Sequence, residues 1–380
     1  MAVQFELRGQ DGAARRGRLL TPHGAIETPA FMPVGTLGAV KGVTPAALEQ
    51  AGASVMLANL YHLALRPGIE LLERLGGLHA FTGWRGPLLT DSGGFQVWSL
   101  ASLRQLDERG VTFRSHLDGS PLRFTPESVV EAQERIGVDL AMVLDECPPH
   151  TLGTDEAAAS WRRTFAWAER SLAARRAADR TALFGIVQGG VHRDLRERAA
   201  DELSRLPFDG LAIGGVSVGE PEAERRAVVE WTAPRLPGER PRYLMGVGTP
   251  DDLLHGVQQG IDLFDCVLPA RNARHGLLYT RDGLLRIRNA RFRDDPRPLD
   301  PDCGCETCGR VSRAFLHHLV RSGELTGAVF ATLHNLRYFL DFMEEVREAI
   351  GSRRLGDWAQ ERALRLADAN RSEISAAPPT

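Results

Sequence analysis

These 380 residues predict an α/β fold on a parallel sheet, a (β/α)8 or TIM barrel with a cysteine-bearing subdomain inserted near its C-terminus. Three observations carry that expectation. Eight short apolar runs alternate with helix-length segments, the pattern of repeated βα units. Three of those segments open on a Thr-Pro pair and close near a glycine, after which an apolar run begins at once. Polar residues then gather just past the apolar runs, where a barrel collects its strand ends on one face.

The strand candidates lie at 30–34, 54–57, 87–90, 140–144, 183–187, 211–213, 243–245 and 262–264. Thr44-Pro45, Thr125-Pro126 and Thr249-Pro250 each read as an N-cap with proline at the first helical position, where a missing N–H costs nothing. Gly52, Gly137 and Gly260 end those helices. Residues 154–178 read as an amphipathic helix with Trp161, Phe165 and Leu172 on one face. Two stretches break the spacing. Residues 92–124 include a hairpin at 117–122, expected over the pocket mouth. Residues 270–333 form a larger insertion, after which Leu333, Leu336, Phe339, Leu340 and Met343 restore helical periodicity as the eighth barrel helix. The expected division is a barrel at 1–269, the insertion at 270–333, a helical part at 334–372 and a disordered tail at 373–380.

Composition sets bounds. Hydrophobic content of 43% fills a large core, and 25% charged residues is ordinary for a water-soluble chain. A net charge of −3 gives no sign of nucleic acid, but residues 271–297 hold eight arginines against three aspartates. Such a run suits phosphate contact as well as a solvated face. The N-terminus lacks the pattern of a signal peptide, and no apolar stretch is long enough to span a membrane. Five cysteines, three of them crowded at Cys303, Cys305 and Cys308, make poor disulfide arithmetic and good metal arithmetic, which points to a reducing cytoplasm.

Three thiolates and one imidazole close a tetrahedral zinc shell, leaving no position for water, so the metal is expected to be structural. His317, His318 and His334 are the downstream candidates for the fourth ligand. Asp91, in Thr90-Asp91-Ser92-Gly93-Gly94-Phe95-Gln96, and Asp265, in Phe264-Asp265-Cys266, end strands on opposite sides of the expected pocket. Two carboxylates converging on one pocket suit cleavage of a glycosidic bond: one attacks the anomeric carbon and the other trades protons. Asp145 and Gln188 can read the edge of a base, the first as an acceptor and the second as donor and acceptor. Each also has an ordinary reading, as a cap or a satisfied interior amide.

The segments Asp91–Gln96, Asp145-Glu146-Cys147, Gly185–Gly190, Gly214–Glu220, Met245–Gly248, Phe264–Arg271 and the cysteine cluster resemble, in this order and over nearly the whole chain, the tRNA-guanine transglycosylases. That resemblance implies a barrel with a zinc subdomain, and a zinc shell completed by His334. It implies Asp265 as nucleophile on the ribose C1′ of the wobble guanosine and Asp91 as general acid/base. A substrate site of Asp91, Ser92, Gly93, Gly94, Phe95, Asp145, Cys147, Gln188, Gly214, Gly215, Val216 and Met245 follows, with the ring stacked between Phe95 and Met245. RNA contact is implied for Gly246, Val247, Gly248, Thr249, Pro250, Asp251 and Asp252, and for Ala270, Arg271, Asn272, Ala273 and Arg274.

Cys147 and Val218 resemble the bacterial pattern, which implies 7-aminomethyl-7-deazaguanine (preQ1) exchanged for guanine in tRNAs with GUN anticodons, those for Asp, Asn, His and Tyr. The Val216-Ser217 pair departs from the leucine–alanine pair common there, on the segment facing the base's exocyclic substituent. A homodimer is implied too, with Phe81, Phe315 and His318 as interface candidates. Three rivals fit less well. A non-catalytic tRNA-binding subunit would not need both aspartates, a zinc deaminase needs an open metal position, and a sugar glycosidase leaves the arginines unexplained.

Overall fold

A computed structural model describes residues 3–100 and 104–375, which divide into two compact units: 1–39 with 54–266, and 40–53 with 267–380. The first unit is built on eight parallel strands: β1 (Ala30–Pro33), β2 (Met56–Asn59), β3 (Leu88–Asp91), β4 (Leu140–Met142), β5 (Ala182–Val187), β6 (Gly210–Ile213), β7 (Arg242–Leu244) and β8 (Leu263–Cys266). Each pairs with its neighbour in sequence, β8 pairs with β1, and a parallel bridge from Val34 to Leu57 closes the ring. Every strand matches an expected apolar run to within two residues at either end. All four residues of β1, β2 and β6 are buried, as are all six of β5, because helices cover the outside and side chains fill the inside.

The Thr-Pro caps form as expected. Thr44, Thr125 and Thr249 accept the N–H of Ala47, Ser128 and Asp252, and each proline takes the first helical turn. The amphipathic helix is Thr154–Ala174. The hairpin belongs to a three-stranded antiparallel sheet, Arg104–Asp107, Gly110–Arg114 and Pro121–Phe124, and Phe124 packs against the loop after β3 near Gly93. A second antiparallel sheet, Gln4–Asp11, Ala14–Thr21 and Gly24–Thr28, precedes the barrel and was not anticipated. Its signals were Asp11-Gly12 and His23-Gly24, where both glycines take positive φ in tight turns.

Buried charges tie the amino ends of the strands together. Arg15 lies 3.2 Å from Asp262, just before β8, and burial pushes the Asp262 carboxyl up to about 6 despite that cation. Asp139, just before β4, accepts the Leu88 N–H at 2.9 Å and meets His23 at 2.9 Å, and its carboxyl is held below the usual range by the hydrogen bonds of His79, Leu88 and His23 against its burial. This face of the barrel is spent on stability. The opposite, carboxyl face holds Asp91, Asp145, Gln188 and Asp265.

In the second unit, a hairpin (Leu277–Thr280 with Gly283–Arg286) and three helices enclose a core around Leu278, Ile287, Phe292, Leu299 and Leu316. The helix carrying His334 runs from Leu325 to Gly351, so the boundary expected between 333 and 334 falls inside one element. Gly327 in its first turn hid the start. A last helix, Leu355–Ser375, extends three residues into the expected tail, and the rest of that tail, 376–380, lies outside the described residues. Among the described residues no helix is long and apolar enough to cross a membrane.

Candidate active site and metal centre

Adjacent strand ends place Asn59 directly beside Asp91 in the β2–β3 register. Asn59 donates to Asp91 Oδ2 at 2.6 Å, and the Gly93 N–H donates to Oδ1 at 3.2 Å. Asn59 is itself fixed: its amide also reaches Gln96 Oε1, and its oxygen accepts the His62 N–H. Burial pushes the Asp91 carboxyl up to about 7, the charge of Asp265 adds to that, and the two donors oppose it. Asp265 lies near the end of β8. The Tyr243 hydroxyl at 2.6 Å and the Gly246 N–H at 2.7 Å both donate to its Oδ1, which leaves Oδ2 outside that bonding. Burial raises the Asp265 carboxyl and the two donors oppose the rise. Tyr243 keeps its proton, because burial and the nearby carboxylates lift the phenol far above its ordinary range.

Asp145, past β4, accepts the Gln188 amide at 2.6 Å, and burial pushes its carboxyl up to about 6. Gln188 is fully buried, and its Oε1 accepts no hydrogen bond from the protein. Glycines let these groups approach. A Cβ at Gly94 would lie 1.7 Å from Asp145 Oδ1, and one at Gly215 would lie 2.2 Å from Gln188 Oε1. The Cys147 thiol is pushed up by burial, with the Gly215 N–H directed at it. Glu220 accepts the N–H groups of Ser217 at 2.5 Å and Val218 at 2.9 Å. Since a trans peptide points its N–H and C=O in opposite directions, the Val216 carbonyl faces away from Glu220. Ser92 is buried and takes the Gly94 N–H, Val216 is buried, Met245 is half-buried just past β7, and Phe95 remains 48% exposed.

The residues expected to meet RNA divide into exposed and committed groups. Gly246, Thr249 and Asp251 are exposed, whereas Val247 and Gly248 are buried. Asp252 and Pro250 are buried as well, and the Asp252 carboxylate is bonded to Thr249 and Arg225 within the barrel unit. In the second unit, Ala270 to Arg274 form the end of a short helix, Leu268–Arg274, rather than an open arm. Arg271 is exposed, Ala273 is buried, Asn272 donates to the Tyr279 hydroxyl at 2.7 Å, and Arg274 donates to the Ala270 carbonyl at 2.9 Å.

The ligand atoms of Cys303, Cys305, Cys308 and His334 all lie within 4.8 Å of one another. His334 Nδ1 stands 3.7, 3.7 and 3.3 Å from the three sulfurs, close to the roughly 3.5 Å edge of a tetrahedron with bonds of about 2.0–2.3 Å. Its Nε2 donates to the Tyr279 carbonyl at 2.8 Å, which fixes the tautomer and leaves Nδ1 free to bind a cation. The donor set therefore fits a closed metal site. His317 is bonded to the Ile287 carbonyl instead, and His318 is exposed. Asn335, fully buried, bonds the Tyr279 N–H and the carbonyls of Pro269 and Leu277, so the helix behind the cluster also pins the hairpin.

In the sequence Asn59 is only one of the polar residues just past the apolar runs, and nothing there marks the roles of Tyr243 and Asn335. Tyr243 sits inside a strand, where an apolar reading suffices, and the pairing of β7 with β8, Tyr243 opposite Leu263, brings it near Asp265.

A family model described as Queuine tRNA-ribosyltransferase matches residues 10–368. Proteins of that name from Aromatoleum aromaticum, Desulforudis audaxviator and Azoarcus are similar to this chain. They are 54%, 53% and 51% identical, over 92%, 93% and 94% of this chain and 95%, 96% and 96% of their own lengths.

Proposed function

The chain belongs to the queuine tRNA-ribosyltransferase family, and from that premise we propose that it exchanges the wobble guanine of GUN-anticodon tRNAs for 7-aminomethyl-7-deazaguanine. The observation that carries this reading is the pair of half-buried carboxylates with different supports. Asp265 has one oxygen engaged by two donors and the other left for attack, while Asp91 sits near 7, suited to both giving and taking a proton. The guanosine leaves the anticodon stack. Asp265 Oδ2 attacks the ribose C1′, the glycosidic electron pair departs with guanine, and Asp91 supplies the proton that base requires. The incoming base then gives a proton to Asp91 and attacks C1′, which frees Asp265. Two inversions yield net retention.

The base lies among Asp145, Gln188 and Gly215, between Phe95 and Met245. The Val216 carbonyl, held by Glu220's grip on the next N–H, accepts from an aminomethyl ammonium. Cys147 and Val218, both buried, leave little space for the cyclopentenediol of queuine. The metal is zinc: its ligands are Cys303, Cys305, Cys308 and His334, and its work is to hold the second unit together. Phe81 and Phe315, exposed at 42% and 49%, remain the aromatic candidates for a homodimer contact, which sedimentation would test.

Incubation with bacterial tRNA and labelled guanine should leave label in the precipitated RNA, and its absence would contradict the proposal. Competition should favour the aminomethyl base over queuine by at least about tenfold, since overfilling a tight pocket costs about 1–3 kcal/mol. Equal incorporation would remove the assigned role of Cys147 and Val218.

A further inference from the structure

One buried cation lies behind the candidate pocket and takes no part in the chemistry proposed above. Arg196, on the helix Arg193–Ser204, is fully buried. Its bonded partners are main-chain carbonyls alone: Nε donates to Gly190 at 2.7 Å, Nη1 to Val187 at 3.1 Å and Gly214 at 2.8 Å, and Nη2 to Gly215 at 3.3 Å. These four carbonyls belong to the last residue of β5 and to the two loops that follow β5 and β6. Its helix neighbours Leu195, Ala199 and Ala200 are apolar and buried, so the packing alone would accept an apolar side chain. Removing a guanidinium from water is costly; the charge of nearby Glu220 offsets part of that cost, and the four hydrogen bonds fix where the guanidinium sits.

The need is visible in the loops. Gly189, Gly190 and Gly215 all take positive φ, so neither loop is stiff by itself. The planar guanidinium spans both, and the backbone passes so close that a Cβ at Gly215 would lie 3.1 Å from Arg196 Nη2. Val187 and Gly190 flank Gln188, so anchoring them limits how its carboxamide can turn. Gly214 and Gly215, with their carbonyls drawn toward Arg196, direct the N–H groups of Gly215 and Val216 the other way. The Gly215 N–H accordingly meets the Cys147 sulfur. Among the carbonyls of 215–217, that of Gly215 is thus already engaged by Arg196 and is not the one open to a substituent's ammonium.

We propose that Arg196 is a positioning and specificity-determining residue for the base: it locks the Gln188 and Gly215 loops in one donor–acceptor order without touching the substrate. The inference rests on the transglycosylase reading. Arg196→Met takes the guanidinium from four carbonyls, of which that of Val187 keeps the Gly214 N–H at 3.1 Å, whereas Arg196→Lys keeps the charge but cannot bridge both loops.

The test compares both variants with the wild type for the KM of free base, the KM of tRNA, and preference for guanine over hypoxanthine, which lacks the exocyclic amine. Arg196→Met should raise the base KM about tenfold or more and shrink the preference by a similar factor, since mispositioned hydrogen-bonding groups no longer discriminate. The KM for tRNA should change by less than about threefold, because phosphate contacts dominate it. Arg196→Lys should fall between the two. If only melting temperature or active fraction drops, with base KM and preference unchanged, Arg196 is a folding residue and the proposal is overturned. Should Arg196→Met not fold, Arg196→Lys decides alone: wild-type base KM and preference in it would overturn the proposal. Calorimetric binding of free guanine is measured in parallel. A wild type without exchange would count against the transglycosylase reading, while the guanine affinities of wild type and Arg196→Lys would still report on Arg196.

Discussion

The metal centre and the base pocket solve opposite problems. Three of the four proposed metal ligands fall within six residues, and the fourth comes from a helix that Asn335 clamps to the neighbouring hairpin. In the pocket, Asp91, Asp145, Gln188, Gly215 and Asp265 come from five strand ends, and groups elsewhere in the barrel hold them: Asn59 for Asp91, Tyr243 for Asp265, Arg196 for the loops around Gln188 and Gly215. A cation would neutralise the thiolates of the first site. The carboxylates of the second, Asp145 buried and Asp91 and Asp265 half-buried, have raised proton affinity, a state that costs stability and serves chemistry. The first site should therefore fail by unfolding, and the second by losing activity in a folded protein.

Metal removal should show the largest effect. Chelation, or Cys308→Ala, should forfeit on the order of 10 kcal/mol of local stability. Limited proteolysis should then cut within 276–334 while guanine binding by the barrel changes little. Resistance of that segment to protease after metal loss would erase the contrast. Asp265→Asn should do the reverse, lowering exchange by on the order of 10⁴-fold or more with the melting temperature nearly unchanged.

A subtler contrast lies in the pH dependence of stability. Asp91 has a folded-state pKa of about 7, above its unfolded value, so the native state binds the extra proton between pH 4 and 7 and its stability falls as pH rises through that window. Asp91→Asn should lose that slope. Its melting temperature relative to wild type should climb from pH 4 to pH 8, by roughly a few degrees. A constant difference across the range would mean that Asp91 is not held protonated by burial. The smallest effect belongs to exposed Arg271. Arg271→Ala should raise the KM for tRNA a few-fold and lower the salt-dependence slope by about one, with the KM for base unaffected.

The same contrast explains what the sequence disclosed. Metal spacing is local, so the cysteines are legible directly, whereas three histidines competed for the fourth place and only the family resemblance favoured His334. Its geometry follows from a helix that begins at Leu325, ahead of the periodicity that marks it. The barrel was legible because eight apolar runs alternate with helix-length segments, and Thr-Pro caps and closing glycines agree with them at three repeats. Asp91 and Asp265 stood out as acids at strand ends. Tyr243 and Arg196 did not, since a tyrosine within a strand and an arginine on a polar helix look ordinary until register and curvature bring them beneath the pocket. The N-terminal sheet went unread because its strands, such as Gln4–Asp11, carry mixed polar faces with little burial pattern.

The central claim is that Asp265 forms the bond to ribose while Asp91 only moves protons. Acid-quenching the protein during turnover with tRNA, followed by digestion and peptide fragmentation by mass spectrometry, tests it directly. A ribose-linked RNA fragment should appear on the peptide spanning 243–271, localised to Asp265 and absent from Asp265→Asn. An adduct on Asp91, or steady exchange with no adduct on either carboxylate, would contradict it.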